Sequence, residues 1–152
     1  MKIPLALFRL INAAMVLLLR SPLHSIFSNS ILAIRYTGVR SGRTLTVPVR
    51  YHRRGDDIVV MTSEETKWWP NFLQSAKADV LLGGAWAASQ VQAMPNNPSL
   101  AGPIMREMWE KHPSDSAYMN VRVRDGVPDP EDFEQALKTA VIITIMQAVE
   151  EP

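Results

Sequence analysis

Residues 31–52 read ILAIRYTGVRSGRTLTVPVRYH, and this stretch decides the fold. Ile31 to Thr37 is rich in β-branched and aromatic side chains, the composition of a strand. Gly38-Val39-Arg40-Ser41-Gly42 interrupts it with residues that favour a chain reversal. Arg43 to His52 then alternates, with Leu45, Val47, Val49 and Tyr51 on one side and Thr44, Thr46, Arg50 and His52 on the other. Two strands joined by so short a turn run antiparallel. Pro48 has no N–H to give to a ladder, which places the second strand at a sheet edge or a bulge.

Working outward toward the C-terminus, the same grammar repeats. Arg54-Gly55-Asp56 is a hairpin turn, and Asp57 to Ser63 is a third strand. Glu64-Glu65-Thr66 opens a loop, and Trp69 to Ser75 reads as a short helix with Pro70 in its first turn. Ala78 to Leu82 and Ala85 to Met94 flank Gly83-Gly84, a two-residue hairpin signal. Asn97-Pro98-Ser99 starts a helix whose Leu100, Ile104 and Met108 share a face, and His112-Pro113 ends it. Asp129-Pro130-Glu131-Asp132 starts another, with Phe133, Ala136 and Leu137 on one face. Thr139 to Val149 is a long β-branched strand, expected at the sheet centre. The strands are linked by hairpins and not by crossovers, which argues against a parallel doubly wound sheet. The pattern predicts an α+β domain: a small barrel of about six mostly antiparallel strands with peripheral helices.

Upstream, Ile3 to Leu19 is almost wholly apolar and stops at Arg20-Ser21-Pro22. On a helical wheel Lys2, Arg9 and Arg20 fall within about 20° of one another, with Asn12 about 60° to one side. The segment is short for a bilayer span and carries Arg9 near its middle. Arg9 also interrupts the apolar region of a secretory signal, and no small-x-small cleavage pattern follows. Two readings remain. An amphipathic helix lies in a membrane interface, with Arg9 and Arg20 reaching lipid headgroups. Alternatively, the helix covers the barrel or a dimer partner. The chain therefore divides into residues 1–21, the apolar helix, and 22–152, the barrel.

Composition narrows the chemistry. The chain of 152 residues suits one domain. It has no cysteine, which excludes disulfides, thiolate catalysis and Cys-ligated metals. A formal net charge of +1 gives no reason to expect nucleic acid as a partner. His24, His52 and His112 are widely separated and lack metal-ligand spacing. Asp56-Asp57 reads as a turn and Glu131-Asp132 as a helix cap, and there is no GxSxG elbow. The lack of an acid–base set is compatible with redox work, where a cofactor carries the reactive atom and the protein binds and orients. Tyr51, Trp109 and Tyr118 are candidates either for the lining of a substrate pocket or for the core.

Two stretches carry a family resemblance. Tyr36-Thr37-Gly38-Val39-Arg40-Ser41-Gly42-Arg43, continuing through Val47-Pro48-Val49, resembles the strand–turn–strand signature of the flavin/deazaflavin oxidoreductase superfamily. Lys67-Trp68-Trp69-Pro70-Asn71-Phe72, followed by Ala78-Asp79-Val80-Leu81-Leu82, is similar to a second segment of its deazaflavin-dependent nitroreductase and quinone-reductase branch. The resemblance spans roughly residues 22–95 and implies a split β-barrel. It implies a bound deazaflavin, coenzyme F420, or alternatively FMN, with hydride passed to a lipophilic acceptor such as a quinone. Its cofactor-binding positions fall on Arg40, Ser41, Gly42, Arg43, Ser63, Lys67, Trp68 and Asn71. An Arg fork and a Gly-containing turn suit a phosphate, and Trp68 would wall the ring. Val39 and Leu45 stand where relatives often carry a basic residue. Glu64 and Glu65 stand near a position where nitroreductase-like members often have lysine, and they would repel a phosphate by about 1 kcal/mol.

A subgroup with an apolar N-terminal helix, a run like Ser21-Pro22-Leu23-His24 and a double Trp resembles the chain more closely. It implies a protein peripheral to the cytoplasmic face of the membrane that binds a fatty acid. The small side chains Ala85, Ala87, Ala88 and Ser89 would leave room for a ring or an acyl chain, unless Trp or Met neighbours fill it. Haem is a third ligand compatible with such a groove, and a homodimer is a further expectation.

Overall fold

The computed structural model describes residues 4–147. Seven strands form one curled antiparallel sheet: β1 (Ile31–Thr37), β2 (Thr44–Arg50), β3 (His52–Arg54), β4 (Asp57–Ser63), β5 (Ala76–Leu82), β6 (Ala85–Pro95) and, last in the chain, β9 (Ala140–Gln147). Their order is β2-β1-β5-β6-β9-β4-β3. The order itself explains the curl. β2 forms one edge and β3 the other, yet only Tyr51 separates them in sequence. A single residue cannot bridge a flat sheet of seven strands about 4.8 Å apart, so the sheet rolls until its edges approach. Tyr51 is buried at that bend; its N–H donates to Ser30 O at 3.0 Å and its hydroxyl donates to Ser28 O.

Alternation sorts side chains to the two faces of the sheet. Leu32, Ile34, Tyr36, Ile58, Val60, Val80, Val91, Val141, Ile143 and Ile145 fill the barrel with Trp68 and Phe72. The opposite face is covered twice. Outside β4 and β9 lie α2 (Pro98–Lys111), a 3-10 turn (Pro113–Met119) and α3 (Pro130–Thr139), burying Ile104, Met105, Met108, Trp109 and Phe133. Outside β1 and β5 lies α1 (Leu5–Arg20), whose Leu19 packs on Ala33 and Leu81.

The helix boundaries follow capping chemistry. Asn97 Oδ1 accepts from Leu100 N, and Asp129 Oδ1 accepts from the N–H groups of Glu131 and Asp132. Ser21 Oγ donates to Leu18 O and accepts from Leu23 N, ending α1 and starting the 3-10 turn Pro22–Ile26.

The α+β split barrel expected from the sequence is the observed architecture, with two corrections. The Arg43–His52 run is not one strand: it breaks at Tyr51 into β2 and β3 on opposite edges, which makes seven strands in the main sheet. A two-stranded hairpin, β7 (Val123–Arg124) and β8 (Val127–Pro128), turns on Asp125-Gly126, where the sequence pattern predicts no strand. Pro48 does sit in an edge strand, and β9 does lie inside the sheet between β6 and β4. Lys2, Ile3 and Val149 lie outside the described residues.

Candidate functional site at one end of the barrel

The β1–β2 turn closes on itself before it meets anything else. Gly38 N donates to Arg43 O at 2.9 Å, Gly42 N to Gly38 O at 2.9 Å, and Arg43 N to Ser41 Oγ at 3.2 Å. A Cβ on Gly38 would stand 2.8 Å from Ser41 Oγ, so this position admits no side chain unless the serine moves. Arg40, Ser41, Gly42 and Arg43 are all exposed.

The second motif reaches this turn. Asn71 Oδ1 accepts from Val39 N at 2.9 Å, while its Nδ2 donates to Trp68 O at 2.9 Å. Beneath the bridge, Phe72 meets Tyr36 and Trp68 edge-on, with ring centroids 5.4 and 6.2 Å apart. Burial pushes the Tyr36 phenol up, which keeps it neutral. β4 runs antiparallel to β3, which continues the chain direction of β2. Ser63 at the end of β4 therefore lies at the same end as the turn. Lys67 and Trp68 follow from it. The eight cofactor-binding positions named from sequence thus gather at one barrel end.

They are not equally available. Lys67 is exposed, but Trp68 is only 9% exposed and belongs to the core. The indole that reaches the surface is that of Trp69, whose Nε1 donates to Glu64 O at 3.2 Å. The reason is periodic. Trp68 and Phe72 are four residues apart and turn the same way, so Trp69 is displaced to the rim of the core, packed against it and half-buried. Leu45, 41% exposed, adds apolar surface beside Gly38. Glu64 and Glu65 are exposed next to these groups.

Of the aromatic substrate candidates, only Tyr118 belongs here. It is 56% exposed, and its hydroxyl lies 3.4 Å from Thr62 Oγ1, which lies 2.9 Å from Thr66 Oγ1. Tyr51 sits at the opposite end of β2, buried as the barrel hinge. Trp109 lies outside the barrel, edge-on to Phe133 at 5.8 Å, with Nε1 buried and unpartnered. Neither lines this site. The hollow expected at Ala85–Ser89 also takes another form: Ala85 and Ala88 are exposed, Ser89 is buried with its Oγ on Ala87 O, and side chains pack the interior. Thr62 and Thr66 were not singled out from sequence, because a hydroxyl chain built from three segments leaves no local pattern.

Two concave sites lie elsewhere. One, of about 480 Å³, is bordered by Arg9, Asn12, Ala13, Val16 and Leu17 of α1 and by Thr46 of β2. The other, of about 340 Å³, is bordered by His52, Arg53, Arg54, Gly55, Glu107, Glu110 and Lys111. In it His52 Nε2 lies 3.1 Å from Glu107 Oε2, and Arg54 Nε donates to Glu107 Oε1 at 3.3 Å. Hydrogen bonding from His52, aided by Arg54, holds the Glu107 carboxyl below its ordinary range. Among the described residues, no three His, Cys, Asp or Glu side chains are placed to hold a metal ion. No described helix is long and apolar enough to cross a membrane.

No protein-family model matches the chain, and no curated protein matches it. Solved structures share its fold. A pyridoxamine 5′-phosphate oxidase-related, FMN binding protein from Nostoc punctiforme aligns with a TM-score of 0.53, over 97% of this chain and 83% of its own, at 12% identity. A pyridoxamine 5′-phosphate oxidase candidate from Listeria innocua aligns with a TM-score of 0.51, over 91% of this chain and 94% of its own, at 11% identity. At such identities the likeness is one of fold: the chain has the split barrel of these proteins.

Proposed function

We propose that the protein is a flavin-class oxidoreductase of the membrane surface, taking deazaflavin (F420) first and FMN second, and reducing a lipophilic acceptor such as a quinone. The observation that carries this reading is the Asn71–Val39 hydrogen bond. It joins the two motifs of the family resemblance, which between them carry Arg40, Arg43 and Lys67. Three cations with an exposed Gly-containing turn suit a phosphate tail. Half-buried Trp69 and exposed Leu45, apolar groups at this end, suit one face of a flat ring, and Tyr118 suits a polar group of the acceptor. When bound, the cofactor supplies the hydride. The protein's own share is to grip, orient and cover. The solved FMN binding protein on the same fold supports the choice of ligand class, and α1 supports the choice of a membrane-dissolved acceptor.

Fluorescence titration of the purified protein with the deazaflavin, and separately with FMN, tests this. Micromolar binding of one ligand, weakened at least about tenfold by Arg40→Ala with Arg43→Ala, is the expected result. Dissociation constants above about 1 mM for both ligands, or affinity indifferent to the two arginines, would overturn it.

The α1–β2 groove favours a second reading, a non-catalytic carrier of a fatty acid or similar amphiphile. Arg9 and Asn12 stand by apolar walls of Ala13, Val16 and Leu17. Native mass spectrometry separates the two: a co-purifying acyl chain supports the carrier, and a ligand-free protein that takes up deazaflavin removes it.

A further inference from the structure

All fifteen acidic residues of the chain lie at Asp56 or beyond, while nine of its sixteen Lys and Arg side chains precede it. The near-zero net charge therefore conceals two oppositely charged stretches. Folding neutralises part of the basic one: Arg35 pairs with Asp79, Arg50 with Asp115 and Arg54 with Glu107. Among the described residues Arg9, Arg20, Arg40 and Arg43 form no ion pair, and α1 carries no acidic residue.

Large apolar groups share this basic region. Leu5, Leu7, Phe8, Leu10, Ile11 and Leu17 of α1 are exposed, as are Leu23 and Ile26 just after it. Val39, at 78%, is the most exposed large apolar side chain described, and it sits between Gly38 and Arg40 on the β1–β2 turn. The helix is aimed toward that turn. Its Leu19 packs on Ala33, which pairs with Pro48, whereas Arg9 and Asn12 border a groove against Thr46, nearer the turn.

We propose that α1 and the β1–β2 turn form a single docking surface for an anionic lipid bilayer, with Val39 as a second point of apolar insertion and Arg9 and Arg20 on the headgroups. This deepens the membrane contact assumed in the functional reading and rests on it, but it does not depend on any cofactor. Charge complementarity selects the partner. Exposed apolar groups interspersed with unpaired arginines suit an acyl–headgroup boundary carrying negative charge. A second copy of the chain would bring the same unpaired arginines face to face. The surface would also hold the Arg40–Arg43 end of the barrel against the lipid.

Co-sedimentation of the full chain, without cofactor, tests the proposal with vesicles of phosphatidylcholine alone and of phosphatidylcholine with phosphatidylglycerol. The expected result is binding to the mixed vesicles about tenfold or more above the neutral ones, and weaker at high salt. Arg9→Glu with Arg20→Glu, and separately Val39→Asp, should each lower it, while Val127→Asp, on the far hairpin, should not. Equal or absent binding to both vesicles overturns the proposal, and wild-type binding by Val39→Asp overturns the part given to the turn. A dimer broken by Leu10→Asp, in a protein that ignores vesicles, assigns the face to a second copy and likewise overturns it. Vesicle binding without uptake of deazaflavin or FMN would leave this proposal standing and remove the cofactor reading alone.

Discussion

Asn71 and Val39 are 32 residues apart in sequence, and one hydrogen bond of 2.9 Å from the Val39 N–H to Asn71 Oδ1 fixes the exposed β1–β2 turn to the barrel mouth. The same amide holds Trp68 O through Nδ2, so it spans two loops with both of its ends. Asn71→Leu removes both bonds and should cost about 1–2 kcal/mol. Asn71→Asp keeps the acceptor for Val39 but loses the donor to Trp68, and should cost less. Urea unfolding measures the difference. The turn's amides should exchange faster with solvent in Asn71→Leu than in Asn71→Asp, and equal exchange would show that the turn holds itself.

Gly84 supports the other end of the α1 attachment. Its φ is +81°, and a Cβ there would lie 2.7 Å from His24 Nε2. His24 is part of the 3-10 turn that follows α1, and its Nδ1 lies 3.3 Å from Ser28 Oγ. Gly84→Ala meets two separate costs, a left-handed backbone of about 1–2 kcal/mol and a displaced imidazole. Adding His24→Ala should recover only the second. A double-mutant cycle in thermal unfolding resolves them. Full recovery would mean that backbone strain is negligible, and no recovery would mean that His24 moves freely.

How much of this was legible in the sequence depends on the range of the interaction. Turn and cap signals act within a few residues, and those at Gly83-Gly84, Asn97 and Asp129 placed elements correctly. The barrel class followed from hairpin linkage. The break at Tyr51 was hidden, because alternation continues through it and only the pairing partners, β1 on one side and β4 on the other, reveal two strands. The candidate site shows the same limit. Arg40 to Arg43 were readable as an anion-suited turn. Which of two adjacent tryptophans lies at the rim depends on Phe72 packing under Tyr36, a tertiary fact. The charge division at Asp56 is present in the sequence itself, but a net charge of +1 averages it away.

The Glu107 carboxylate makes stability depend on pH in one direction. Its pKa is depressed in the fold by the hydrogen bond from His52 and by Arg54. A depressed carboxylate stabilises the fold fully above its ordinary pKa and loses that contribution as pH falls through the folded value. Glu107→Gln should therefore be less stable than wild type at neutral pH, with the gap closing as pH falls below the ordinary carboxylate range. The exposure of this carboxylate keeps the effect modest. Thermal unfolding of both proteins across the acid range checks this, and a gap that widens on acidification would reverse the assignment.

Trp109 carries two opposing terms in one side chain. It is buried among the α2 and α3 residues and contributes an edge contact to Phe133, but its indole N–H has no partner. A buried unpaired donor costs about 1–3 kcal/mol, whereas removing the whole ring costs about 3–5 kcal/mol. Trp109→Phe deletes the donor, retains an aromatic edge and leaves a smaller void. Its net cost should fall within about 1 kcal/mol, because the relief offsets most of the lost packing. Trp109→Ala retains none of the packing and should show nearly the full loss. Urea unfolding of the two variants distinguishes the terms. If Trp109→Phe lost as much as Trp109→Ala, the N–H would have to be satisfied in solution by water entering the α2–α3 layer.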